Sequence, residues 1–290
     1  MCRLFGMSAG SRRARATFWL LDAPDSLATQ SRREPDGTGL GWFDAEGAPR
    51  VSKQPIAAYD DVEFGREARE ICSKTFLAHV RFATTGPHNL LNTHPFEQDG
   101  RLFAHNGVVE DLPALEAHLG DDSRLVKGDT DSERFFALIT REIAARDGDV
   151  AAGIEAACGW VAANLRLVSI NFVLATADGL WALRYPETDT LYLLERAAGE
   201  PLVHASHLGS RVHCEGGVDG PLVVVASEPM DANPLWRALA SGELVHIAGT
   251  LEVRTRQILE QPPARPLALD ELTPGPPASP AHAANMHNTE

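Results

Sequence analysis

The sequence predicts an α+β fold in which antiparallel sheets pack against each other and helices lie outside them. Strand-like runs occupy both ends of the chain, and helical patterns are grouped in the middle. Two of the runs, 75–86 and 102–109, are apolar on both faces, so each sheet should be covered on both sides. With 290 residues, 44% of them hydrophobic, the chain can bury a sizeable core as one large domain or two small ones.

The first part of the chain is predicted to alternate strands with short helices. Residues 4–7 form an apolar run typical of a buried strand, and residues 20–31 look helical. Residues 35–42 form a glycine-punctuated turn that leads into a strand. Glycines at alternate positions permit close approach of a backbone or a ligand, but an ordinary hairpin bulge fits this spacing equally well. A helix is predicted to begin at Asp60–Asp61, and its apolar face places Cys72 in the core.

The middle of the chain is predicted to be helical and the last part rich in strands. The three predicted helices cover 111–119, 130–143 and 149–165, and the second begins with the capping pattern Thr130-Asp131-Ser132-Glu133. The predicted later strands are 169–176, 180–185, 190–194, 202–206, 221–227, 243–248 and 251–254, with one helix at Pro234–Ala240. Beyond Gln261 the Pro/Ala-rich composition predicts a disordered tail over 261–290, which leaves one domain over 2–260.

Composition excludes several classes of function. The formal net charge of −14 argues against nucleic acid and anionic membrane as partners. The four cysteines lie far apart with no CxxC pair, which predicts neither a zinc site nor a disulfide framework. No signal region or long apolar span is present, so we expect a cytoplasmic protein. His79, His94 and His105 lack ligand spacing, and we predict no metal and no cofactor.

Cys2 is the first candidate catalytic residue. Removal of Met1 would leave a thiol and a free α-amine on one residue, and the amine has a pKa near ~7.7–8.0. A thiol beside a weak base is an activated nucleophile. A small, inert apolar residue at the start of a strand is the alternative on position alone.

Three polar positions are candidates for substrate contacts, and two of them have a structural alternative. Arg81 and Asn106 lie inside apolar runs, where they are costly to bury without partners. Asn106-Gly107 is also the commonest hairpin turn signal. Asp131 lies in the first turn of a helix, where the helix dipole by itself stabilises a carboxylate.

Taken together, an ordered set of motifs resembles the class II glutamine amidotransferases of the N-terminal-nucleophile hydrolase group. The resemblance covers residues 2 to about 255 and implies a four-layer αββα sandwich of two mainly antiparallel sheets. It is greatest to the stand-alone branch, which includes γ-glutamyl hydrolases of glutathione breakdown and ergothioneine synthesis. The motifs are Met1-Cys2-Arg3-Leu4-Phe5-Gly6, Pro35-Asp36-Gly37, His79-Val80-Arg81-Phe82-Ala83-Thr84, Asn92-Thr93-His94-Pro95-Phe96, His105-Asn106-Gly107 and Thr130-Asp131-Ser132-Glu133, with Ser227-Glu228-Pro229 typical of the branch.

The resemblance implies a role for each matching position. Cys2 would attack the amide carbonyl of glutamine or a γ-glutamyl compound, and its own α-amine would act as base. The Asn106 side chain and the Gly107 backbone N–H would stabilise the resulting oxyanion. Arg81 would bind the substrate α-carboxylate, with Thr84 as a hydroxyl donor beside it. Asp131 would pair with the substrate α-ammonium.

Two positions depart from the family pattern. Thr38 follows the Asp-Gly of the glycine-rich turn, where members of the branch often carry an aromatic residue. Arg33-Glu34 precedes Pro35, where the family usually has a histidine. These departures concern the pocket rim and the choice of substrate rather than the chemistry.

Three functions are compatible with these motifs. The first is hydrolysis of a γ-glutamyl amide, with a small-molecule γ-glutamyl substrate. The second is a glutaminase that supplies ammonia to a separate synthase, and the third is a non-catalytic binding protein of the same fold. Because the matched region takes nearly the whole chain, we expect hydrolysis without a synthase; a partner enzyme or a homo-oligomer stays open.

Overall fold

The computed structural model describes residues 2–82, 87–200, 202, 220–268 and 271–272. These residues form two sheets that lie face to face, with helices on both outer surfaces. The predicted α+β fold with four layers, αββα, is therefore confirmed. No helix of the described segments is long and apolar enough to cross a membrane.

The first sheet is wholly antiparallel and has the N-terminal strand at its centre. Its strand order is β11-β9-β10-β1-β4-β2-β3 within the described residues. Strand numbers follow the chain, and its members are β1 (Arg3–Ser8), β2 (Thr38–Phe43), β3 (Pro49–Gln54), β4 (Thr75–Val80), β9 (Tyr192–Arg196), β10 (Leu222–Ala226) and β11 (Arg237–Ala238).

The second sheet is antiparallel except for one short strand at its end. Its order is β13-β12-β8-β7-β6-β5, and β14 pairs in parallel with the start of β7. Its described members are β5 (Phe96–Gln98), β6 (Arg101–Val109), β7 (Arg166–Thr176), β8 (Gly179–Arg184), β12 (Glu243–Ala248), β13 (Val253–Gln257) and β14 (Arg265–Pro266).

The helices form the two outer layers. α3 (Leu112–Leu119), α4 (Asp131–Ala144) and α5 (Val150–Asn164) cover the second sheet, and side chains such as Phe136 and Ile154 pack onto it. A single π-helical turn (Phe18–Asp22), α1 (Leu27–Gln30) and α2 (Val62–Glu70) cover the first sheet around Trp19.

A third apolar cluster fills the space between the sheets. Leu4 of β1 and Leu77 of β4 point into it from the first sheet, and Val173 of β7 and Ala104 of β6 meet them from the second. The two sheets thus share one continuous interface, and residues at the ends of β1, β4 and β6 can face a common site.

Glycines in β2 allow the chain to cross close to that strand. A Cβ at position 39 would lie 1.9 Å from the carbonyl oxygen of His94, and one at 41 would meet Pro95 and Leu102. The alternate glycines of residues 35–42 therefore serve close backbone approach, which was one of the two interpretations of their spacing, and the approaching group is the chain's own 94–95 segment.

Three sequence predictions need correction. The helix predicted over 20–31 is broken near Pro24, because Ala23 before it adopts the extended backbone that proline imposes. Helix α2 ends at Glu70, so Cys72 is only half-buried. Residues 234–240 are a turn followed by β11, which pairs with β9, because this short segment makes sheet contacts in place of helical turns.

Two further predictions concern segments near masked or terminal residues. The strand predicted over 202–206 lies outside the described residues, apart from Leu202. The chain keeps contact with the domain beyond residue 260, since Arg265–Pro266 pair with β7 and Leu267 is buried. The tail predicted beyond this point stays a prediction.

Candidate active site

Cys2 lies immediately before the central strand of the first sheet. The register that pairs Arg3 with Val80 brings Cys2 beside the end of β4. The Phe82 N–H donates to Cys2 Sγ at 3.3 Å, and the Cys2 S–H donates to the Phe82 carbonyl oxygen at 3.4 Å. Both contacts hold the sulfur in place at the end of the two paired strands β1 and β4.

The thiol of Cys2 is protonated at neutral pH in this environment. Burial raises its pKa to about 11, although the hydrogen bond from Phe82 and the charge of Arg81 act in the opposite direction. The negative charge of Glu34 contributes to the rise. A nucleophilic role for this sulfur therefore requires a base that accepts its proton.

Arg81 is a buried cation that follows β4 and is affected by the carboxylates of Asp36 and Asp131. Its backbone N–H donates to the Gly37 carbonyl oxygen at 2.8 Å, and its own carbonyl accepts from Asp36 at 3.0 Å, so the Pro-Asp-Gly turn anchors it. The residue is 3% exposed, and its guanidinium donates to the Pro87 carbonyl oxygen at 3.3 Å. Burial lowers its pKa, and the carboxylates of Asp36 and Asp131 oppose that shift.

Asn106 and Gly107 lie inside β6, paired with Asn171 and Ile170 of β7. The hairpin-turn interpretation of this dipeptide is therefore wrong. A Cβ at position 107 would lie 1.8 Å from the carbonyl oxygen of Ser169, a distance that no side chain can accept. Glycine is required here because the two backbones approach closely.

Asp131 is the first residue of α4 and reaches back to the same strand. A register shift in β6 after Val108 frees the Val109 N–H, which donates to Asp131 Oδ2 at 2.9 Å. The neighbouring Ser132 hydroxyl lies 2.9 Å from Nδ1 of the buried His105. Thr130 caps the helix by accepting the Glu133 N–H on its side chain, so the Asp131 carboxylate is not the cap of α4.

The structure describes five of the six predicted site residues. The Asp131 carboxylate acts on the pKa of Arg81, and the charge of Arg81 acts on the pKa of the Cys2 thiol. Asp131 also accepts the Val109 N–H of β6, the strand that carries Asn106 and Gly107. Thr84 falls within 83–86, outside the described residues. Among the described residues, no three His, Cys, Asp or Glu side chains converge in a way that could hold a metal ion.

Sequence reasoning missed an ion-pair network around the start of β1. Arg3 donates to the Cys2 carbonyl oxygen at 3.3 Å, and its guanidinium lies 3.5 Å from Glu34 and 2.8 Å from Glu228. Ser227 completes the attachment by accepting the Leu4 N–H at 2.9 Å. The sequence showed Arg33-Glu34 only as a departure from the family pattern. No sequence pattern predicted that these residues lie near Glu228.

This arrangement, with a candidate nucleophile at the start of the central strand and a sandwich of two antiparallel sheets, defines the N-terminal-nucleophile hydrolase class of fold. The family model for class II glutamine amidotransferases matches residues 1–266. The chain belongs to that family.

Some similar proteins are named as hydrolases and others as amidotransferases. The chain is 31% identical over 259 residues to the gamma-glutamyl-hercynylcysteine sulfoxide hydrolase of Mycobacterium tuberculosis, covering 85% of this chain and 93% of that protein. It is 27% identical over 220 residues to the putative glutamine amidotransferase YafJ of Escherichia coli, covering 72% and 83%.

Solved structures share the fold at low sequence identity. The glutamine phosphoribosylpyrophosphate amidotransferase of B. subtilis aligns with a TM-score of 0.63 and 18% identity over 90% of this chain, which spans 50% of that enzyme. A glutamine aminotransferase class-II domain protein from Silicibacter pomeroyi aligns with a TM-score of 0.57 and 20% identity, covering 89% of this chain and all of that one.

Proposed function

We propose that the mature chain begins at Cys2 and hydrolyses the γ-glutamyl amide bond of glutamine or of a γ-glutamyl metabolite. The observation that carries this proposal is the buried Arg81, which directly precedes Phe82, the residue whose N–H and carbonyl hold the Cys2 sulfur. The Asp131 carboxylate also acts on the pKa of Arg81. A γ-glutamyl group carries an α-carboxylate and an α-ammonium, so it complements a cation and an anion that lie beside a nucleophile. Its side-chain carbonyl would then face Cys2.

The first half of the reaction forms a thioester. The Cys2 α-amine accepts the thiol proton, and the sulfur attacks the amide carbonyl carbon. Negative charge develops on the carbonyl oxygen, where the Asn106 side chain and the Gly107 N–H are the proposed donors. The intermediate collapses, the C–N bond breaks, and the proton held by the α-amine passes to the leaving amine.

The second half regenerates the enzyme. Water attacks the thioester carbonyl, with the α-amine again accepting a proton. The C–S bond breaks, glutamate leaves, and the proton returns to the Cys2 sulfur. The burial that raises the pKa of the Cys2 thiol supports this scheme, because a desolvated thiol needs a base that accepts its proton.

A substrate panel tests the proposal. Purified protein is incubated with glutamine, γ-glutamyl dipeptides and γ-glutamyl thioether conjugates, and glutamate release is measured for the wild type, Cys2→Ala and Cys72→Ala. Cys72 is the matched control because it is another half-buried free cysteine. We expect loss of glutamate release in Cys2→Ala alone, and intact mass of active protein without Met1. Full activity of protein that retains Met1 would contradict the role of the α-amine.

A further inference from the structure

The peptide that joins Asn106 and Gly107 is held by a side chain of the neighbouring strand. The Asn106 carbonyl and the Gly107 N–H belong to one planar trans unit and point in opposite directions. Fixing the carbonyl oxygen therefore fixes the direction of the N–H. The hydroxyl of Ser169 donates to that oxygen at 3.2 Å, and Ser169 is fully buried.

Ser169 is itself held from several sides. It lies on β7 opposite Val108, and its carbonyl oxygen is the atom that excludes a side chain at Gly107. Nε2 of His105 lies 3.3 Å from the same carbonyl oxygen. The backbone of Ser169 thus packs against the Gly107 peptide, and its hydroxyl reaches the carbonyl on the other side of that peptide.

Asp189 makes a second contact with this hydroxyl, at 2.5 Å from Asp189 Oδ2 to Ser169 Oγ. The hydroxyl carries one proton, so it cannot donate to both Asp189 and the Asn106 carbonyl. If it donates to an ionised Asp189, the hydroxyl turns a lone pair toward the Asn106 oxygen at 3.2 Å. If Asp189 carries a proton and donates it to Ser169, the hydroxyl proton is free for Asn106, and both contacts of the hydroxyl are hydrogen bonds.

The burial of Asp189 acts in the same direction as this hydrogen-bond argument. The residue is 3% exposed, and burial raises the pKa of its carboxyl, against the hydrogen bond from Ser169 and the charges of Arg3 and His105. Its backbone carbonyl accepts from Arg184 at 2.8 Å and from Asn171 at 3.2 Å. The carboxyl is therefore rigidly placed as well as desolvated.

We propose that Ser169 and Asp189 are positioning residues that hold the Asn106–Gly107 peptide so that the Gly107 N–H points to the developing oxyanion. Asp189 donates to Ser169, and Ser169 donates to the Asn106 carbonyl. Neither residue touches the substrate; they act through the peptide. This inference rests on the proposed function only for its catalytic consequence, because the orientation of the peptide is a property of the free protein.

Steady-state kinetics of four variants test the proposal. Removing an oxyanion donor costs about 10²–10³ in kcat, and a donor that is present but poorly held should cost less, so we expect Ser169→Ala to lower kcat roughly tenfold with little change in KM. Asp189→Ala should behave alike, whereas Asp189→Asn keeps an N–H donor and should stay near the wild type. Ser73→Ala is the matched control, since the buried Ser73 hydroxyl also donates to a backbone carbonyl, at 2.8 Å, in the other sheet.

Two kinetic outcomes would overturn the proposal: wild-type kcat in Ser169→Ala, or equal impairment of Asp189→Asn and Asp189→Ala. A second measurement does not depend on activity. Hydrogen exchange at the Gly107 amide, measured by NMR, should be faster in Ser169→Ala than in the wild type and in Ser73→Ala. An unchanged exchange rate would reject the positioning role even if no panel substrate is cleaved. The proposed function fails separately, if the wild type releases no glutamate or if Cys2→Ala releases as much as the wild type.

Discussion

Arg81 is the residue whose substitution most directly separates substrate binding from chemistry. Lysine keeps the positive charge but loses the planar pair of N–H donors that can bind a carboxylate through two parallel hydrogen bonds. We expect Arg81→Lys to raise KM more than it lowers kcat, measured by steady-state glutamate release. Arg141→Lys is a suitable control, because Arg141 of α4 hydrogen-bonds to His118 of α3 and to Glu142. A fall in kcat at unchanged KM would assign Arg81 to the transition state.

Asn106 should show the opposite kinetic pattern. A side-chain donor that acts only on the developing oxyanion contributes to the transition state and little to substrate binding. Asn106→Ala should therefore lower kcat by roughly 10²–10³ with little change in KM. Asn164→Ala, at the exposed end of α5, serves as the control. If KM rises while kcat holds, Asn106 binds substrate and another group stabilises the oxyanion.

The candidate site was partly predictable at this scale because polar residues stood out inside apolar strands. Arg81 and Asn106 each occupy a position that core packing would give to an apolar side chain, and Cys2 stood out because it directly follows Met1. Ser169 and Asp189 lie in ordinary-looking segments, and their contacts span sequence separations of 63 and 20 residues. Their role depends on strand register, which local sequence patterns do not specify.

At the scale of elements, sequence patterns located α2 to α5 and failed in the segments 20–31 and 234–240. Asp61 and Asp149 accept backbone N–H groups at the starts of α2 and α5, close to where the sequence placed them. The segment 234–240 has weak intrinsic helix signals, and pairing with β9 decided its structure. Of the three buried histidines, His105 hydrogen-bonds to Ser132, whereas the rings of His79 and His94 pack against each other.

These buried histidines predict a loss of stability in acid. His79 and His94 are buried with ring centroids 4.1 Å apart. Burial lowers the pKa of His79 from 6.5 to about 3, and that of His94 also falls well below 6.5. The unfolded chain therefore binds protons first as pH falls, so this stability is present above about pH 6.5 and is lost progressively toward pH 3.

The expected slope can be measured by urea unfolding between pH 4.5 and 6. Each such histidine contributes about 1.4 kcal/mol per pH unit in this window. His79→Gln should reduce the slope of unfolding free energy against pH by about that amount, whatever its effect on absolute stability. A slope equal to the wild type would show that His79 is protonated in the folded protein or does not titrate there.

For the whole molecule, the two sheets and their shared core bring distant motifs to one end. The strand order was not predictable from the sequence, because β1 pairs with β10 across more than two hundred residues. The ordered motifs nevertheless implied the αββα sandwich through the family resemblance. Neither source predicted that Arg3 would join β1 to Glu34 and Glu228, since that contact follows from the assembled sheet.

The last prediction is that the purified chain releases glutamate from at least one γ-glutamyl amide without any second protein. The similarity to a mycobacterial protein that is named a hydrolase extends over 93% of that protein. An enzyme that transfers ammonia must shield it from solvent and keeps its glutaminase idle until an acceptor binds. A hydrolase has neither need, so glutamate release should be constitutive.

The measurement follows glutamate formation with the substrate panel alone, beside alkylation of Cys2 by a glutamine analogue. Alkylation reports that the γ-glutamyl pocket is formed, and it therefore serves as the control for inactive protein. Alkylation together with glutamate release supports constitutive hydrolysis. Alkylation of Cys2 with no glutamate until a partner protein is added would establish the ammonia-supplying alternative, because the pocket would then be complete and only the coupling to an acceptor would be missing.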